Sequence, residues 1–334
     1  MMRTNGLVVA IDGPSGAGKS TAGRALAAQL GYIYIDTGAM YRALALKASR
    51  AGVSLDSEEA LAALCRASSI QLMDGGRRVL LDGQDVTAEV RSREISRASS
   101  LVSVHPGVRV EMVARQRELG REGGVVLDGR DIGTAVFPDA EVKIYLDAQP
   151  GERAQRRMVE LRAAGADVSF ETIEKDLRDR DYNDTHRAES PLVRAWDALA
   201  VDTTQLSPEE VVERMLAAVR AREGKPLDLG GLAEAHRGSP RHYREALRTS
   251  QLSTGLYRLG RGAEGDQRPR DEEGVFLVLE GRGRVRMGDE DFAVEPGFLF
   301  TVPARVEHRF HSVAQDLLLL VFFAPALGTG TPPE

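Results

Sequence analysis

The sequence predicts an α/β domain with a parallel sheet flanked by helices, followed by a smaller all-β domain. Three observations predict it. Residues 7–222 alternate short apolar runs with amphipathic segments of helical period, which is the pattern of parallel strands joined by crossover helices. A stretch rich in turn-formers follows at 223–240, where Gly224, Pro226, Gly230, Gly231, Gly238 and Pro240 read as a linker. Beyond it, short strand-like runs recur at turn-separated intervals, the signature of a sandwich or barrel. The expected division is a first domain at 1–222, a linker at 223–240, a β domain at 241–326 and a tail at 327–334. A chain of 334 residues fits this, since domains of about 100–200 residues make two the prior.

The elements of the first domain follow in order. Leu7–Asp12 is a buried strand that runs into Gly13-Pro-Ser-Gly-Ala-Gly-Lys-Ser20 and then a helix through Leu30. Tyr32–Asp36 and Gly38–Arg50 repeat the strand–helix step. The rhythm breaks at Ile70–Met73, Val79–Leu81 and Asp85–Val86, joined by turns at Asp74-Gly75-Gly76 and Asp82-Gly83; these form a small antiparallel insertion. Helices at 91–103 and 106–121 lead to the strand Val125–Asp128, and Val142–Leu146 is a further strand. Helices at 151–164, 170–182 and 208–222 complete the domain. The last opens on Ser207-Pro208-Glu209-Glu210, a capping box with proline at the first helical position. In the second domain the strands are Gly255–Leu259, Val275–Leu279, Gly283–Met287, Asp291–Val294, Phe298–Val302, His308–His311 and Leu317–Phe323.

Composition sets the outer limits. A hydrophobic content of 42% supports packed cores, and a net charge of −6 argues against a general nucleic-acid binder. Cys65 is the one cysteine, so no internal disulfide can form, which fits a reducing compartment. The longest apolar run, Leu317 to Leu327, contains Pro325 and falls short of the roughly 18–20 residues that span a bilayer. Leu7 to Ile11 is too short for a signal-peptide core. The expectation is a soluble cytoplasmic protein with neither nucleic acid nor membrane as partner.

Gly13, Pro14, Ser15, Gly16, Ala17, Gly18, Lys19 and Ser20 match G-x-x-x-x-G-K-[ST] in full, between a strand and a helix, with Thr21 next. Glycines let backbone N–H groups curl around a polyphosphate, and the helix N-terminus adds partial positive charge. Lys19 is expected on the β- and γ-phosphates, and Ser20 at the Mg²⁺ that accompanies ATP. Such loops serve kinases, GTPases and motors alike; no guanine-reading Asn-Lys-x-Asp occurs in the chain, which weakens the GTPase reading.

A kinase also needs an acceptor site, and a phosphorylated acceptor needs arginines around it. Tyr41-Arg42 follows Asp36-Thr37-Gly38-Ala39-Met40, and Ser100 and Arg109 flank His105-Pro106. Asp128-Gly129-Arg130-Asp131 closes a strand, where α/β sheets present ligands. Arg180, Asp184 and Arg187 share one face of a helix if the helix continues that far. Taken singly, Arg42 reads equally well as a solvated helix residue and Asp-Gly-Arg-Asp as a turn, and the Arg180–Asp184–Arg187 face reads better as a surface ion-pair ladder. Together with the phosphate loop they point to a second anionic ligand.

These residues carry a resemblance. Residues 7–222 resemble the bacterial cytidylate kinases through Ile-Asp-Gly-Pro-Ser-Gly-Ala-Gly-Lys-Ser at 11–20 and Asp-Thr-Gly-Ala-Met-Tyr-Arg at 36–42. Further matches are Asp-Gly-Arg-Asp-Ile-Gly-Thr at 128–134, Val-Phe-Pro-Asp-Ala at 136–140 and Arg-Asp-x-x-Asp-x-x-Arg at 180–187. The resemblance implies a P-loop nucleoside-monophosphate kinase that phosphorylates CMP and dCMP with ATP and Mg²⁺. It implies that Thr37, Arg109 and Asp131 read the cytosine ring, that Ser100, Arg180 and Asp184 hold the sugar, and that Arg42, Arg130 and Arg187 hold the CMP phosphate. Tyr41, Asp128 and Gly129 belong to the same acceptor site, and Arg153 and Arg157 stand where related kinases place lid arginines on ATP. Lys19, Arg130, Arg187 and Asp131 are the expected catalytic set. The base chemistry agrees: cytosine presents an N4 amino donor to a carboxylate, whereas uracil would present an acceptor to Asp131. Two alternatives stay open: a P-loop kinase of another small acceptor, and a nucleotide-responsive sensor whose β domain binds the ligand.

Residues 250–325 resemble the cupin superfamily, through Val-Phe-Leu-Val-Leu-Glu-Gly-Arg-Gly-Arg-Val at 275–285 and Glu-Pro-Gly-Phe-Leu-Phe-Thr-Val-Pro-Ala-Arg-Val-Glu-His-Arg-Phe at 295–310. The resemblance implies an all-β barrel and no particular reaction. Metal-binding cupins use two His and a Glu of the first motif with a His of the second. Here the first-motif positions fall near Arg268, Arg270 and Gly274, and His308 is the only retained ligand, so no cupin metal is expected. A binding, regulatory or structural role is expected instead, with a homodimer through this domain.

Overall fold

A computed structural model describes residues 3–163, 165–224, 228–237, 242–249, 251–267 and 270–326. The chain divides into two units, Met1–Val212 and Glu213–Glu334. The expected tail at 327–334 and Arg268 lie outside the described residues.

The first unit begins with β1 (Val8–Asp12), α1 (Lys19–Leu30), β2 (Ile33–Asp36), α2 (Thr37–Ala51) and α3 (Glu58–Arg66). The small sheet β3 (Ile70–Met73), β4 (Arg78–Leu81) and β5 (Gln84–Asp85) is antiparallel, as its turns predict. Then come α4 (Arg93–Val102), α5 (Pro106–Gly120), β6 (Val125–Asp128), β7 (Val142–Asp147), α6 (Pro150–Ala163), α7 (Phe170–His186) and β8 (Leu199–Asp202). α8 (Pro208–Glu223) follows, and its capping box forms as its sequence predicts: Ser207 N donates to Glu210 at 2.7 Å and Glu210 N to Ser207 Oγ at 3.3 Å.

The main sheet has the order β2-β6-β1-β7-β8, and every neighbouring pair is parallel. Every residue of β1 and β6 is buried, because helices cover both faces of a parallel sheet. Pairing of Ile11 with Asp128 brings the start of the phosphate loop beside the end of β6. Strand order reverses around β1, so the carboxyl ends of β1, β2 and β6 open onto one crevice, where α/β sheets bind ligands.

Three elements of this unit are not foreshadowed in the sequence: α3, β8 and the single helical turn Ile132–Val136. α3 is short, and only Leu61, Ala62 and Cys65 are buried on it. β8 buries alternate residues only, Leu199 and Val201, too brief a signal to read as a strand. α7 runs four residues beyond its expected end at 182. Arg180 and Asp184 therefore lie on the helix, and Arg187 is its C-cap in an extended conformation.

The second unit holds α9 (Leu229–Arg237), β9 (Tyr243–Arg248), β10 (Ser253–Leu259), β11 (Gly265–Gln267), β12 (Glu273–Met287), β13 (Glu290–Val294), β14 (Leu299–Val302) and β15 (His308–Ala324). They form a seven-stranded antiparallel sheet ordered β13-β12-β15-β10-β9, with β14 on β12 and β11 on β15. The stretch read as a linker contains α9, whose Leu229, Leu232 and Ala233 pack against Leu256, Leu318 and Leu320. Val275–Leu279 and Gly283–Met287 are one strand, β12, continuous through register shifts between Val278 and Arg284. Gly281 makes this kink (φ +87°), where a Cβ would lie 2.0 Å from the Asp316 carbonyl oxygen. His308–His311 and Leu317–Phe323 likewise merge into β15. In β12 the turn-former Gly281 marks a bulge and not a strand end, and in β15, which holds no glycine, the irregularity falls at Ser312, at a φ of +49°.

The core of this unit is aromatic. Phe276 stacks on Phe300 at 5.1 Å and meets Phe310 at 6.1 Å and Phe323 at 6.3 Å. His308 is buried against Phe276 at 5.4 Å, and its burial holds the imidazole pKa below the ordinary value. No helix of the described residues is long and apolar enough to cross a membrane.

Candidate active site

The phosphate loop sits where the last residue of β1 turns into α1. Gly13, Gly16 and Gly18 have φ of +141°, +81° and +87°, and at Gly13 a Cβ would lie 1.9 Å from the Leu146 carbonyl oxygen. Only glycine allows this path. Lys19 opens α1 and is buried, and its Nζ donates to the Pro14 carbonyl at 2.6 Å. Burial and the nearby Arg130 guanidinium hold its pKa well below the ordinary lysine range. Such a cation gains most when an anion arrives. Ser20 donates to Asp128 Oδ2 at 2.7 Å. The Asp128 carboxyl is pushed upward, chiefly by burial and then by the neighbouring Asp36.

Three aspartates organise the opposite wall, and each faces two arginines. Asp36, at the end of β2, caps α2 by accepting from Ala39 N at 2.8 Å. It also holds Arg42 at 3.0 Å and faces Arg24 at 3.9 Å. Asp131, just past β6, pairs with Arg109 of α5 and with Arg187 at 3.3 Å. Asp184 of α7 accepts from Arg130 Nε at 2.7 Å and faces Arg180 at 3.9 Å. Burial, then the Arg130 charge, lowers the Arg180 pKa to about 10. Thr37 Oγ1 donates to the Asp128 carbonyl at 2.6 Å, and Tyr41 lies 3.5 Å from Arg109, its phenol pushed up to about 12 by burial.

All six arginines and all three aspartates line one cavity of about 790 Å³, together with loop residues from Ser15 to Thr21. Buried polar atoms with no hydrogen-bond partner cluster here: Arg24 Nε, Arg42 Nε and Arg180 Nε, with Ser100 Oγ next door. Buried donors are ordinarily satisfied, so this concentration marks the place of a polar ligand. Concentrated cations opposite a phosphate loop can bind two phosphorylated molecules and stabilise charge that moves between them.

The structure brings most of the sequence-predicted residues to this cavity. Thr37, Tyr41, Arg42, Arg109, Asp128, Gly129, Arg130, Asp131, Arg157, Arg180, Asp184 and Arg187 all line it. Ser100 faces an adjoining cavity of about 180 Å³, shared with Ser15, Ser96, Arg157 and Arg180. Gly13 and Pro14 begin the loop without lining the cavity, and Arg153 is buried. Arg153 Nη1 donates to the Ser15 carbonyl at 3.1 Å and to Asp181 at 2.8 Å, and its Nε to the Ala148 carbonyl at 2.9 Å. It braces the loop against α7 and does not line the cavity. The sequence reading missed Arg24, Asp36, Arg156 and Thr203, which do. Asp36 carried a signal, since an Asp before Thr-Gly-Ala is a helix N-cap. Arg156 gives none, because only the fold sets its 3.0 Å bond to Thr203 Oγ1.

Comparison with known proteins bears on the same residues. The cytidylate kinase family model matches residues 9–221, and the cupin domain model matches 255–323. The cytidylate kinase of Desulfitobacterium hafniense (strain Y51) is 50% identical over 212 residues, covering 63% of this chain and 91% of that protein. That of Geobacillus sp. (strain WCH70) is 51% identical over 222 residues, covering 66% of this chain and 99% of the relative. That of Syntrophotalea carbinolica is 51% identical over 219 residues, covering 65% and 93% respectively. Among solved structures, KdgF from Halomonas sp. aligns at 23% identity and a TM-score of 0.24, over 25% of this chain and 76% of that one.

Proposed function

The chain belongs to the cytidylate kinase family, with a cupin domain behind the kinase, and we propose that the Lys19–Asp131 cavity transfers the γ-phosphoryl group of ATP to CMP. The kinase domain occupies 1–222, and the same acceptor pocket takes dCMP. One observation carries this reading: the phosphate loop and six arginines tied to three buried aspartates line a single cavity.

The work divides by residue. Backbone amides of Ser15 to Thr21, which Gly13 and Pro14 lead into, hold the ATP phosphates with Lys19. Arg157 reaches them from α6, and Arg153 acts on them through the Ser15 carbonyl that it fixes. Ser20 and Asp128, joined at 2.7 Å, offer oxygen atoms that suit Mg²⁺, and they would hold the ion that accompanies ATP. Bound there, it would neutralise charge between the β- and γ-phosphates. Arg42, Arg130 and Arg187 hold the CMP phosphate, and Ser100, Arg180 and Asp184 hold the sugar. Thr37, Arg109 and Asp131 read the base, with Tyr41 and Gly129 beside them. A phosphate oxygen of CMP attacks the γ-phosphorus, the bond to the β-phosphate oxygen breaks, and CDP and ADP leave. The attacking oxygen is already anionic, so no side chain has to remove a proton. Lys19, Arg130 and Arg187 stabilise the charge on the transferring group.

Turnover with CMP and with UMP tests this reading. The expected result is a higher kcat/KM for CMP, and equal values would refute base reading by Asp131. The cytoplasm, where ATP and CMP are available and Cys65 stays reduced, is the place for this reaction.

The cupin domain serves as a binding or structural module and not as a metal enzyme. Supporting this, Phe276 and Phe310 pack against His308, the one retained ligand position, and Phe300 stacks on Phe276. Exposed Phe298 and Leu299 at the edge strand β14 are the apolar pair that a second copy would cover in a homodimer. Sedimentation of the full chain tests the dimer, and metal analysis of the purified protein tests the other point; one transition-metal ion per chain would overturn it.

A further inference from the structure

Asp12 is an acid at the end of an otherwise apolar buried strand, and the reaction outlined above leaves it without a task. It is buried, and it does not line the 790 Å³ cavity. Its carboxylate accepts from Ile132 N at 2.8 Å and from Gly133 N at 2.7 Å. These are the first two amides of the single wide helical turn Ile132–Val136 that follows Asp131. The turn closes on Asp131 itself, whose carbonyl oxygen accepts from Ala135 N at 2.8 Å and Val136 N at 3.1 Å. The opening amides of a helical turn have no partner within it, so an outside acceptor must satisfy them. A carboxylate does this with charge of the favourable sign. No side chain within the turn caps it.

We propose that Asp12 is a positioning residue for the acceptor: by clamping the turn after β6 to the end of β1, it fixes where Asp131 and Arg130 present themselves to CMP. The clamp also spans the two halves of the site, because residue 13 begins the phosphate loop. Asp131 sits at φ −145° and ψ 27°, outside the regular helical and extended regions, so an outside restraint has a conformation to maintain. The inference rests on the reading that Asp131 and Arg130 bind the acceptor.

The test compares Asp12→Asn with Asp131→Asn and wild type, measuring KM for CMP and for ATP, kcat, and the ratio of kcat/KM for CMP to that for UMP. Asn keeps the shape of Asp and one acceptor oxygen but cannot serve both amides. KM for CMP is expected to rise about tenfold or more while KM for ATP stays within about twofold, and the CMP-to-UMP ratio is expected to fall. A rise in both KM values together would mean general loosening, and an unchanged KM for CMP would mean no positioning; either overturns the proposal. Asp12→Ser, smaller and also neutral, supplies the same measurement if the Asn variant does not fold. If Asp131→Asn keeps the full CMP-to-UMP ratio, base reading by Asp131 fails. The KM split at Asp12 still decides the positioning role, since the same loop carries Arg130.

Discussion

Removing the Asp131 carboxylate should damage stability and base selection together, and by separable amounts. Arg109 and Arg187 are both buried, and both direct guanidinium nitrogens at this one carboxylate. Breaking a buried ion pair by removing one partner costs about 3–5 kcal/mol, because the remaining charge is left uncompensated. Asp131→Ala in the substrate-free protein should therefore lose about that much. For a domain of this size, each kcal/mol corresponds to about 2–4 °C in Tm, so the transition should fall by roughly 6–20 °C. Asp131→Asn keeps a carbonyl oxygen toward the arginines and should lose less. Base selection follows a different scale. A well-placed contact to a base edge discriminates by about 1–3 kcal/mol, which is roughly 5- to 150-fold in kcat/KM. The CMP-to-UMP ratio should fall by a factor in that range in both variants. Scanning calorimetry gives the first quantity, and coupled assays with the two acceptors at saturating ATP give the second. A variant with wild-type Tm, or one whose ratio moves less than about twofold, would refute the assignment.

Three other outcomes follow from the geometry. Lys19→Ala should lower kcat by about 100-fold or more with Tm retained, because it removes a charge from the transferring phosphoryl while sparing the core a buried ammonium; a kcat near wild type would exclude Lys19 from the reaction. Gly13→Ala places a Cβ 1.9 Å from the Leu146 carbonyl oxygen at a φ of +141°, so low soluble yield or loss of ATP binding is expected, measured by expression and nucleotide titration. Asp12 has its pKa raised from 3.8 to about 6, chiefly by burial. Its contribution to stability is thus full below the unfolded value and is lost as pH rises through about 6, on the order of 3 kcal/mol in all. Denaturation curves should show this loss between about pH 4 and pH 6 in wild type and not in Asp12→Asn, and parallel profiles would contradict it.

Some elements were legible because local chemistry over-determines them. The phosphate loop needs glycines at three positive φ angles, a lysine and a hydroxyl in fixed order, and no other local structure demands that string. The capping box at Ser207 and the turns of the β3–β5 insert are likewise settled within a few residues. Elements that depend on distant partners were harder to see. α9 has linker composition, and its helix is stabilised by an apolar stripe meeting Leu256 and Leu318. β12 and β15 each look like two strands in sequence: in β12 a bulge glycine, Gly281, resembles a turn glycine until the facing strand is known, and in β15 the polar run around Ser312 resembles a turn.

Motif spacing and hydrophobic period are local properties, so the phosphate-binding chemistry, the supply of arginines and carboxylates for an acceptor, and the change from α/β to all-β architecture near residue 225 can all be read along the chain. Tertiary structure decided which charge meets which. Asp36 takes Arg42, Asp131 takes Arg109 and Arg187, and Asp184 takes Arg130, pairings that span up to 56 residues of chain. It also turned Arg153 inward to brace the loop and gave Asp12 two amides more than a hundred residues away. The physical reason is burial: a charge withdrawn from water must find its partner in space, and the order of the parallel strands, not distance along the chain, sets which partners are near.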